Sequence, residues 1–294
     1  MKEVLGDRKA ILLFMLPALL IYIVILLVPI VWSSVYTFYE GSLIKGFSFV
    51  GIQNYIQLFN DSNFFSSLWI TLKFTLIVTT GQVFLGLMLS LLYVFYIKRA
   101  SFLIRTLVFF PVVLPTVAIA QLFAKLFEIA PNYGLVNSVL TAFHLETWVQ
   151  AWLGQPETAF WILCIMEIWK AMGFYAVILY AGLMDVPEDV LEAAKIDGAK
   201  GWKMTQFIIL PLIKPILISA IIFSLSGTLK VFEQVVALTG GGPGKSTTTL
   251  SVYMYQHAFT NGNYGYGSTV ALFLLFMTLV VTLIVYKVSW KDQT

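Results

Sequence analysis

Long apolar segments alternate with short polar ones along the whole chain. Six of the apolar segments reach about 20 residues, the length that a helix needs to cross the hydrocarbon core of a membrane. They lie near residues 10–32, 68–96, 104–127, 159–184, 213–238 and 267–287. The pattern predicts an all-α membrane protein with six transmembrane helices, forming a single domain over residues 1–294.

Composition supports a membrane protein and excludes an ordinary soluble enzyme. Of the 294 residues, 59% are apolar and 11% are charged, whereas soluble domains average about 45–50% and 25%. The net charge of +3 comes from scattered basic residues, so no nucleic-acid partner is expected. A single cysteine, Cys164, and two histidines, His144 and His257, suggest no disulfide, no metal site and no catalytic constellation.

The distribution of Lys and Arg predicts the orientation. These residues concentrate in the cytoplasmic segments of membrane proteins. With the N-terminus inside, the cytoplasmic set is Lys2, Arg8, Lys9, Lys98, Arg99, Arg105, Lys195, Lys200, Lys203, Lys214, Lys287 and Lys291, and the external set is Lys45 and Lys245. Both termini are therefore expected in the cytoplasm. The first span is expected to be an uncleaved anchor, because no small-residue cleavage site follows it.

Two prolines interrupt the third apolar segment. Pro111 and Pro115 lie four residues apart, and each removes a backbone hydrogen bond from a helix. We expect a kink or a break there. A packing kink is one interpretation, and a broken helix that exposes polar backbone groups to a transport pathway is the other.

The longest predicted cytoplasmic segment, residues 185–212, has the pattern of two short helices. Asp185 is a candidate N-cap, and Pro187 suits the first turn. Gly198 is placed to end the first helix in a left-handed conformation, and residues 202–209 form a second helical stretch that leads into the fifth span. The sequence therefore predicts a capped helix–turn–helix that a soluble partner can grip.

This segment resembles the EAA loop of ABC importer permeases. The resemblance rests on Glu192-Ala193-Ala194, then Asp197-Gly198-Ala199, then Ile208-Ile209-Leu210-Pro211. Four further motifs are similar to those of the carbohydrate-uptake permeases, the group that includes permeases of the maltose and glycerol-3-phosphate transporters: Phe109-Phe110-Pro111, Ile168-Trp169-Lys170 with Gly173-Phe174, Val231-Phe232-Glu233, and residues 238–244. The likeness covers about residues 10–290. It departs at Glu233, where many relatives have aspartate.

The resemblance implies a type I ABC importer permease in a bacterial or archaeal cell membrane. It implies a partner ATPase dimer, which holds ATP and Mg, a second homologous permease, and an external sugar-binding protein. The chain itself would be non-catalytic and without a cofactor. The residues expected to couple to the ATPase are Glu192, Ala193, Ala194, Asp197 and Gly198.

Carbohydrate, as an oligosaccharide, is the expected substrate class. Another polar solute such as glycerol-3-phosphate is an alternative. A self-sufficient secondary transporter is a further one, but it leaves the EAA loop unexplained.

A glycine-rich segment, residues 239–246, partly matches a phosphate-binding loop. Thr239 stands where that motif requires its first glycine, and an apolar span rather than a strand precedes it. We therefore interpret the segment as an external turn, with no ATP hydrolysis on this chain.

Charged side chains occur within two predicted spans. Charge at the bilayer centre costs at least about 2.5–3.5 kcal/mol, so these groups should face the bundle interior. Glu167 and Lys170, and likewise Lys230 and Glu233, lie three residues apart, a spacing that permits ion pairs. The alternative is a polar translocation route, with six candidate residues: Glu167, Trp169, Lys170, Lys230, Glu233 and Gln234.

Three more residues are candidates for sugar contacts by residue type alone. Aromatic rings pack on sugar faces, and polar side chains satisfy hydroxyl groups. These candidates are Asn137, Tyr175 and Tyr180. Interfacial belts and core packing are the competing interpretation for the aromatic residues.

Overall fold

A computed structural model describes residues 8–42, 44, 46–97, 101–129 and 131–291. Lys2, Lys45, Lys98 and Arg99, which were used to predict orientation, lie outside this part. The chain divides into two compact units. Of the described residues, those up to Phe64 and those in Tyr253–Leu275 form one unit, and those in Phe65–Val252 and from Phe276 onward form the other.

Helices dominate the described residues. From the N-terminal side they are α1 (Arg8–Tyr22), α2 (Val28–Tyr36), α3 (Gln53–Asn60), α4 (Ser62–Phe95), α5 (Ser101–Val113), α6 (Thr116–Leu126), α7 (Leu135–Ala142) and α8 (Pro156–Met184). They continue with α9 (Glu188–Ile196), α10 (Trp202–Met204), α11 (Leu210–Leu212), α12 (Lys214–Thr228), α13 (Glu233–Leu238), α14 (Leu250–Tyr255) and α15 (Tyr264–Lys291). Short π-helical segments, Ile23–Leu27, Thr205–Ile209 and Gln256–Thr260, continue three of these helices, and Glu146–Trp148 is a 3₁₀ turn.

A small β-hairpin is an addition that the hydrophobic pattern did not predict. Its strands, β1 (Tyr39–Ser42) and β2 (Gly46–Phe49), pair antiparallel, with Tyr39 opposite Phe49. The fold is therefore mostly helical rather than strictly all-α.

Four stretches within the described residues are long and apolar enough to cross a membrane: Leu12–Tyr36, Ser62–Phe95, Pro156–Met184 and Tyr264–Val288. Two bent pairs also qualify when each is counted as one span. These are Phe102–Val113 with Thr116–Leu126, bent by 98°, and Trp202–Leu212 with Lys214–Thr228, bent by 74°. The described chain thus contains between four and six candidate spans, close to the predicted segments.

The third span is broken, as the two prolines predict. Pro111 remains inside α5, whereas Pro115 has an extended conformation (φ −55°, ψ 133°) and immediately precedes α6. Because proline restricts the residue before it, Leu114 leaves the helix and the chain turns sharply there.

The fifth predicted span, 213–238, is wrong as one continuous helix. Helix α12 ends at Thr228, and α13 begins at Glu233 after a four-residue break. The Thr249 hydroxyl donates a hydrogen bond of 3.0 Å to the Val231 carbonyl within this break. A distant segment therefore satisfies a backbone group that a continuous helix would have satisfied internally.

The main apolar core of the second unit lies where α4, α6, α8 and α13 meet. Its fully buried members include Phe74, Ile119, Leu163 and Val235, and the free Cys164 is buried among them. Helices α5 and α8 pack closely nearby. A Cβ atom at Gly173 would lie 2.2 Å from the Val108 carbonyl oxygen, so only glycine permits this approach.

In the first unit, Asp61 is the centre of a hydrogen-bonded cluster. It accepts hydrogen bonds from the Tyr253 and Tyr266 hydroxyls, the latter at 2.6 Å, and from the Asn63 N–H at 2.9 Å. Burial raises the pKa of Asp61, but these hydrogen bonds and one from the Phe64 N–H outweigh burial, so the pKa lies below its usual value.

Candidate functional site

The first helix of residues 185–212 starts later than the sequence pattern predicts. Helix α9 begins at Glu188 and follows Pro187, which has an extended conformation (φ −61°, ψ 132°). Asp185 instead ends α8, its N–H bonding the Ala181 carbonyl. The predicted N-cap at Asp185 is therefore wrong, because proline disfavours a helical conformation at the residue before it. Glu188 and Asp189 still place negative charge at the positive end of the helix dipole.

The end of α9 is confirmed at Gly198. This glycine has φ +86°, and two backbone hydrogen bonds close the helix end. The Ala199 N–H donates to the Ala194 carbonyl at 2.8 Å, and the Gly198 N–H donates to the Lys195 carbonyl at 3.1 Å. Together they form a Schellman motif. Asp197 is the C-cap residue.

A second glycine in the turn was missed by sequence reasoning. Gly201 has φ +52° and ψ −124° and precedes α10, a conformation essentially restricted to glycine. Its position three residues after Gly198, directly before a helical stretch, is the signal that could have identified it.

Helix α9 has an exposed face and a buried face. Glu192 and Ala193 lie on the exposed face, and the Ile196 side chain at its end is 86% exposed. Ala194 lies opposite and is only 6% exposed, in an apolar cluster that includes Leu183. The helix thus turns Ala194 toward the body of the unit, so this predicted coupling residue lies behind the outer face rather than on it. The result is a rigid helix with an acidic and apolar outer face.

Glu167 and Lys170 of α8 form hydrogen bonds with residues of α13 and α6 rather than with each other. The Lys170 Nζ donates a hydrogen bond of 2.8 Å to the hydroxyl of Thr116, the first residue of α6. Glu167 has the Gln234 side chain of α13 as a hydrogen-bond partner, and its Oε2 atom is buried without a partner within the described part of the chain. Thr116 of α6, Glu167 and Lys170 of α8, and Gln234 of α13 thus meet beside the apolar core. We call this group of side chains the polar point.

Lys230 and Glu233 both lie at the break between α12 and α13, and both are exposed. Glu233 is the first residue of α13, where a negative charge is favoured by the helix dipole. Among the described residues, neither this pair nor Glu167 with Lys170 forms a salt bridge within 4.0 Å. The ion-pair interpretation is therefore wrong for both pairs.

The aromatic and amide candidates have different environments. Trp169 is half-buried, with its ring centroid 5.7 Å from that of Phe123. Tyr180 lies under the Arg105 guanidinium at 4.1 Å, and Tyr175 is buried. Trp169 is therefore the aromatic candidate beside the polar point, one residue from Lys170.

Asn137 has a structural role. It donates hydrogen bonds to the Glu128 and Gln150 carbonyls and accepts one of 2.7 Å from the Trp152 indole. With both ends of its amide engaged, its candidacy for a sugar contact is wrong.

A buried polar cluster between α4 and α12 was also missed. Gln82 donates to Ser224, Ser224 donates to Thr79 at 2.9 Å, and the Thr79 and Thr228 hydroxyls lie 3.1 Å apart. The Gln82 Oε1 atom is buried without a partner within the described ranges. The spacing of Thr75, Thr79 and Gln82, by four and then three residues, places them on one helix face and could have indicated this cluster.

The glycine-rich segment is a tightly hydrogen-bonded loop. The Thr239 and Thr247 hydroxyls lie 2.7 Å apart, and the Thr248 hydroxyl donates to the Gly241 carbonyl at 2.9 Å. The Leu250 N–H donates to the Thr71 hydroxyl of α4 at 2.9 Å. A helix rather than a strand precedes the loop, so the strand–loop–helix arrangement of a phosphate-binding loop does not occur here.

Comparison with known proteins identifies the family to which this chain belongs. Residues 82–289 match the model of a family described as binding-protein-dependent transport system inner membrane component. The chain is 34% identical to the sulfoquinovosyl glycerol transport system permease protein of Agrobacterium fabrum, covering 97% of this chain and 91% of the relative. It is 32% identical to the trehalose/maltose transport system permease protein of Thermococcus litoralis, covering 94% and 92%.

A solved structure has the same fold. It is a bacterial alginate ABC transporter in complex with an alginate pentasaccharide-bound periplasmic protein, and the likeness has a TM-score of 0.83 at 23% identity, covering 99% of this chain and 97% of the matched one. The family match extends over more than two-thirds of the chain and includes the broken spans, α9 and the glycine-rich loop. This chain therefore belongs to the family of binding-protein-dependent transport system inner membrane components, which are non-catalytic permease subunits of ABC importers.

Proposed function

We propose that this chain forms one half of the translocation pathway of an ATP-driven, binding-protein-dependent carbohydrate importer, with an oligosaccharide as substrate. The observation that carries the proposal is α9, a short rigid helix with an exposed outer face and an anchored inner face. The relatives named for sulfoquinovosyl glycerol and for trehalose and maltose support a carbohydrate substrate. The chain does no catalysis itself.

Coupling to the ATPase runs through α9. Its exposed face, with Asp189, Glu192, Ala193 and Ile196, combines charge with an apolar side chain that is available for burial. Asp197 and Gly198 shape the turn behind this face, and Ala194 anchors it from within. A partner ATPase dimer holds ATP and Mg, and its movement displaces α9 as a rigid element.

The proposed topology has six spans, with both termini and residues 185–212 in the cytoplasm. The excess of Lys and Arg in the cytoplasmic segments supports this orientation. The complex includes a second homologous permease, whose helices complete the pathway. It also includes an external sugar-binding protein, as the alginate transporter structure contains a periplasmic one. All of it resides in a bacterial or archaeal cell membrane.

The substrate route passes the polar point formed by α6, α8 and α13. Glu167, Lys170 and Gln234 supply donors and acceptors for sugar hydroxyls, and Trp169 supplies an aromatic surface beside them. Lys230 and Glu233 extend this polar surface at the break before α13. Broken helices serve this purpose in transporters because they free backbone polar groups for a pathway.

The coupling proposal is tested with two substitutions at one position. Gly198→Val places a β-branched residue at φ +86°, whereas Gly198→Asn tolerates this conformation. The site has open space around it, so backbone conformation alone distinguishes the variants. In liposomes with the ATPase and binding protein, Gly198→Val should hydrolyse ATP with little uptake, and Gly198→Asn should stay coupled.

Glu192→Gln, which removes only the charge, should also reduce uptake per ATP. Normal uptake per ATP in Gly198→Val, or a chain that never co-purifies with an ATPase, would refute the coupling proposal. The route is tested by measuring how a panel of sugars competes with the uptake of a labelled sugar. Wild type, Lys230→Gln and Glu233→Gln are compared in this assay. Unchanged competition in both variants would assign these two residues a structural role.

A further inference from the structure

A groove of about 850 Å³ lies where the long helix α4 ends. One wall is the last two turns of α4, and the other is formed by α9, the turn after it and the helical segment from Trp202 to Ile209. Its lining residues include Leu91, Leu92, Phe95, Leu191, Met204 and Ile209. The volume is within the range of about 300–1,000 Å³ that is typical of ligand sites.

The groove lies at the boundary between an apolar span and a polar surface segment. Helix α4 is one of the candidate spans, and it ends at Phe95. The deep wall consists of buried side chains, among them Leu91 and Ile209, whereas Leu92 and Phe95 are more than one-third exposed at its edge. An elongated apolar ligand that enters from the membrane would find a continuous apolar surface here.

The rim of the groove carries positive charge and interfacial aromatic residues. Lys195 and Lys200 both line it, and in the described part of the chain neither has a salt-bridge partner. Tyr96 and Trp202 also line it, and they are 76% and 64% exposed. Trp and Tyr are enriched at the level of lipid headgroups.

The groove is distinct from the face proposed to contact the ATPase. Successive positions on a helix point about 100° apart. Leu191 and Lys195 are directed to the groove, whereas Ile196 lies on the exposed outer face and does not line the groove. An ATPase bound to the outer face therefore leaves the groove open toward the membrane.

We propose that this groove binds one anionic phospholipid, with the phosphate on Lys195 and Lys200 and an acyl chain along the apolar wall. The charge of the two lysines complements an anionic headgroup, and the wall between α4 and α9 suits a hydrocarbon chain. Free phosphate would leave that wall unused. The proposal rests on the proposed cytoplasmic position of residues 185–212, since the cytoplasmic leaflet is rich in anionic lipid. The lipid would link the end of α4 to the segment that moves with the ATPase.

The test measures lipid binding to the full-length chain in detergent by native mass spectrometry. The probes are phosphatidylglycerol and phosphatidylcholine with identical acyl chains. The wild-type chain should prefer phosphatidylglycerol. Lys195→Gln with Lys200→Gln should weaken this binding about 30-fold, since each lysine near an anionic surface contributes about fivefold. Lys203→Gln is the matched control, because this exposed lysine of the same segment does not line the groove.

Each alternative outcome overturns the proposal. Equal binding of the two lipids, or unchanged binding in the double variant, would show that the lysines do not recognise a headgroup. Displacement by millimolar inorganic phosphate would indicate a free-anion site, and loss of phosphatidylglycerol on assembly with the ATPase would assign the groove to that partner. All the substituted lysines are exposed, and unfolding temperatures verify folding. Because the readout is binding to the chain itself, failure of the coupling tests at Gly198 leaves this result interpretable.

Discussion

Replacing Gly173 by alanine tests the close packing of α5 on α8. The added Cβ would lie 2.2 Å from the Val108 carbonyl oxygen and 2.9 Å from the Phe109 Cα. Ordinary contacts begin at 3.4 Å, so the distance to the carbonyl must increase by more than 1 Å. Both obstructing atoms belong to backbone, so no side-chain rotation relieves the overlap. Overpacking of this kind costs about 1–3 kcal/mol.

Gly227→Ala is the matched control. Gly227 is also within a helix, α12, but a Cβ there meets nothing within 4 Å. Removing a helical glycine at an open position stabilises a protein by up to about 1 kcal/mol. The free energies of unfolding of the two variants should therefore differ by about 1–4 kcal/mol. Gly81→Ala should be intermediate, because its Cβ meets the movable end of the Ile168 side chain at 2.5 Å.

The assay is reversible unfolding of the purified chain in mild detergent, by titration with a denaturing detergent and detection by circular dichroism. Wild type and the three variants are compared under identical conditions. If Gly173→Ala unfolds at the same midpoint as Gly227→Ala, the helices are not held in contact as described, and the steric reasoning is refuted.

Three further predictions concern polar groups. Lys170→Met should lower the free energy of unfolding by about 1.5–3 kcal/mol, and Thr116→Val should cost at least as much, since it leaves the part-buried Lys170 ammonium without its hydroxyl partner; a clearly smaller loss for Thr116→Val in denaturation would contradict this. The stabilisation from Asp61, whose pKa is lowered in the fold, should be present above pH 3.8 and be lost as the pH falls through the folded-state pKa. Asp61→Asn should flatten that acid dependence in thermal unfolding, and an unchanged profile would exclude the cluster as its source. Gln82→Met should cost less than about 1 kcal/mol, because hydrogen bonds between membrane helices average about 0.6 kcal/mol, and a larger loss in the same assay would show a stronger network.

Local rules predicted the features that depend on a few neighbouring residues. Gly198 ends α9 because a left-handed residue is needed there, and Pro115 breaks the third span because its ring constrains Leu114. Asp185 shows how such rules compete. It is a good N-cap by residue type. However, Pro187 disfavours a helical conformation at the residue before it, so the helix begins only at Glu188.

Contacts between distant segments could not be predicted from the same patterns. Hydropathy made residues 213–238 a single span because the apolar residues on both sides of the break outweigh Lys230 and Glu233 in a 20-residue average. The Thr249–Val231 and Lys170–Thr116 hydrogen bonds join residues 18 and 54 positions apart. Charge spacing along one helix suggested ion pairs, whereas the partners of Glu167 and Lys170 belong to other helices.

The glycine-rich loop has a mechanical consequence. Glycine-rich segments are usually flexible, yet the Thr239–Thr247 hydrogen bond closes this one, and the residues just after it, Thr249 and Leu250, bond to Val231 and Thr71. We therefore expect this loop to resist bending. A displacement of the loop would therefore be passed to the break before α13 and to α4 together, instead of being absorbed within the loop.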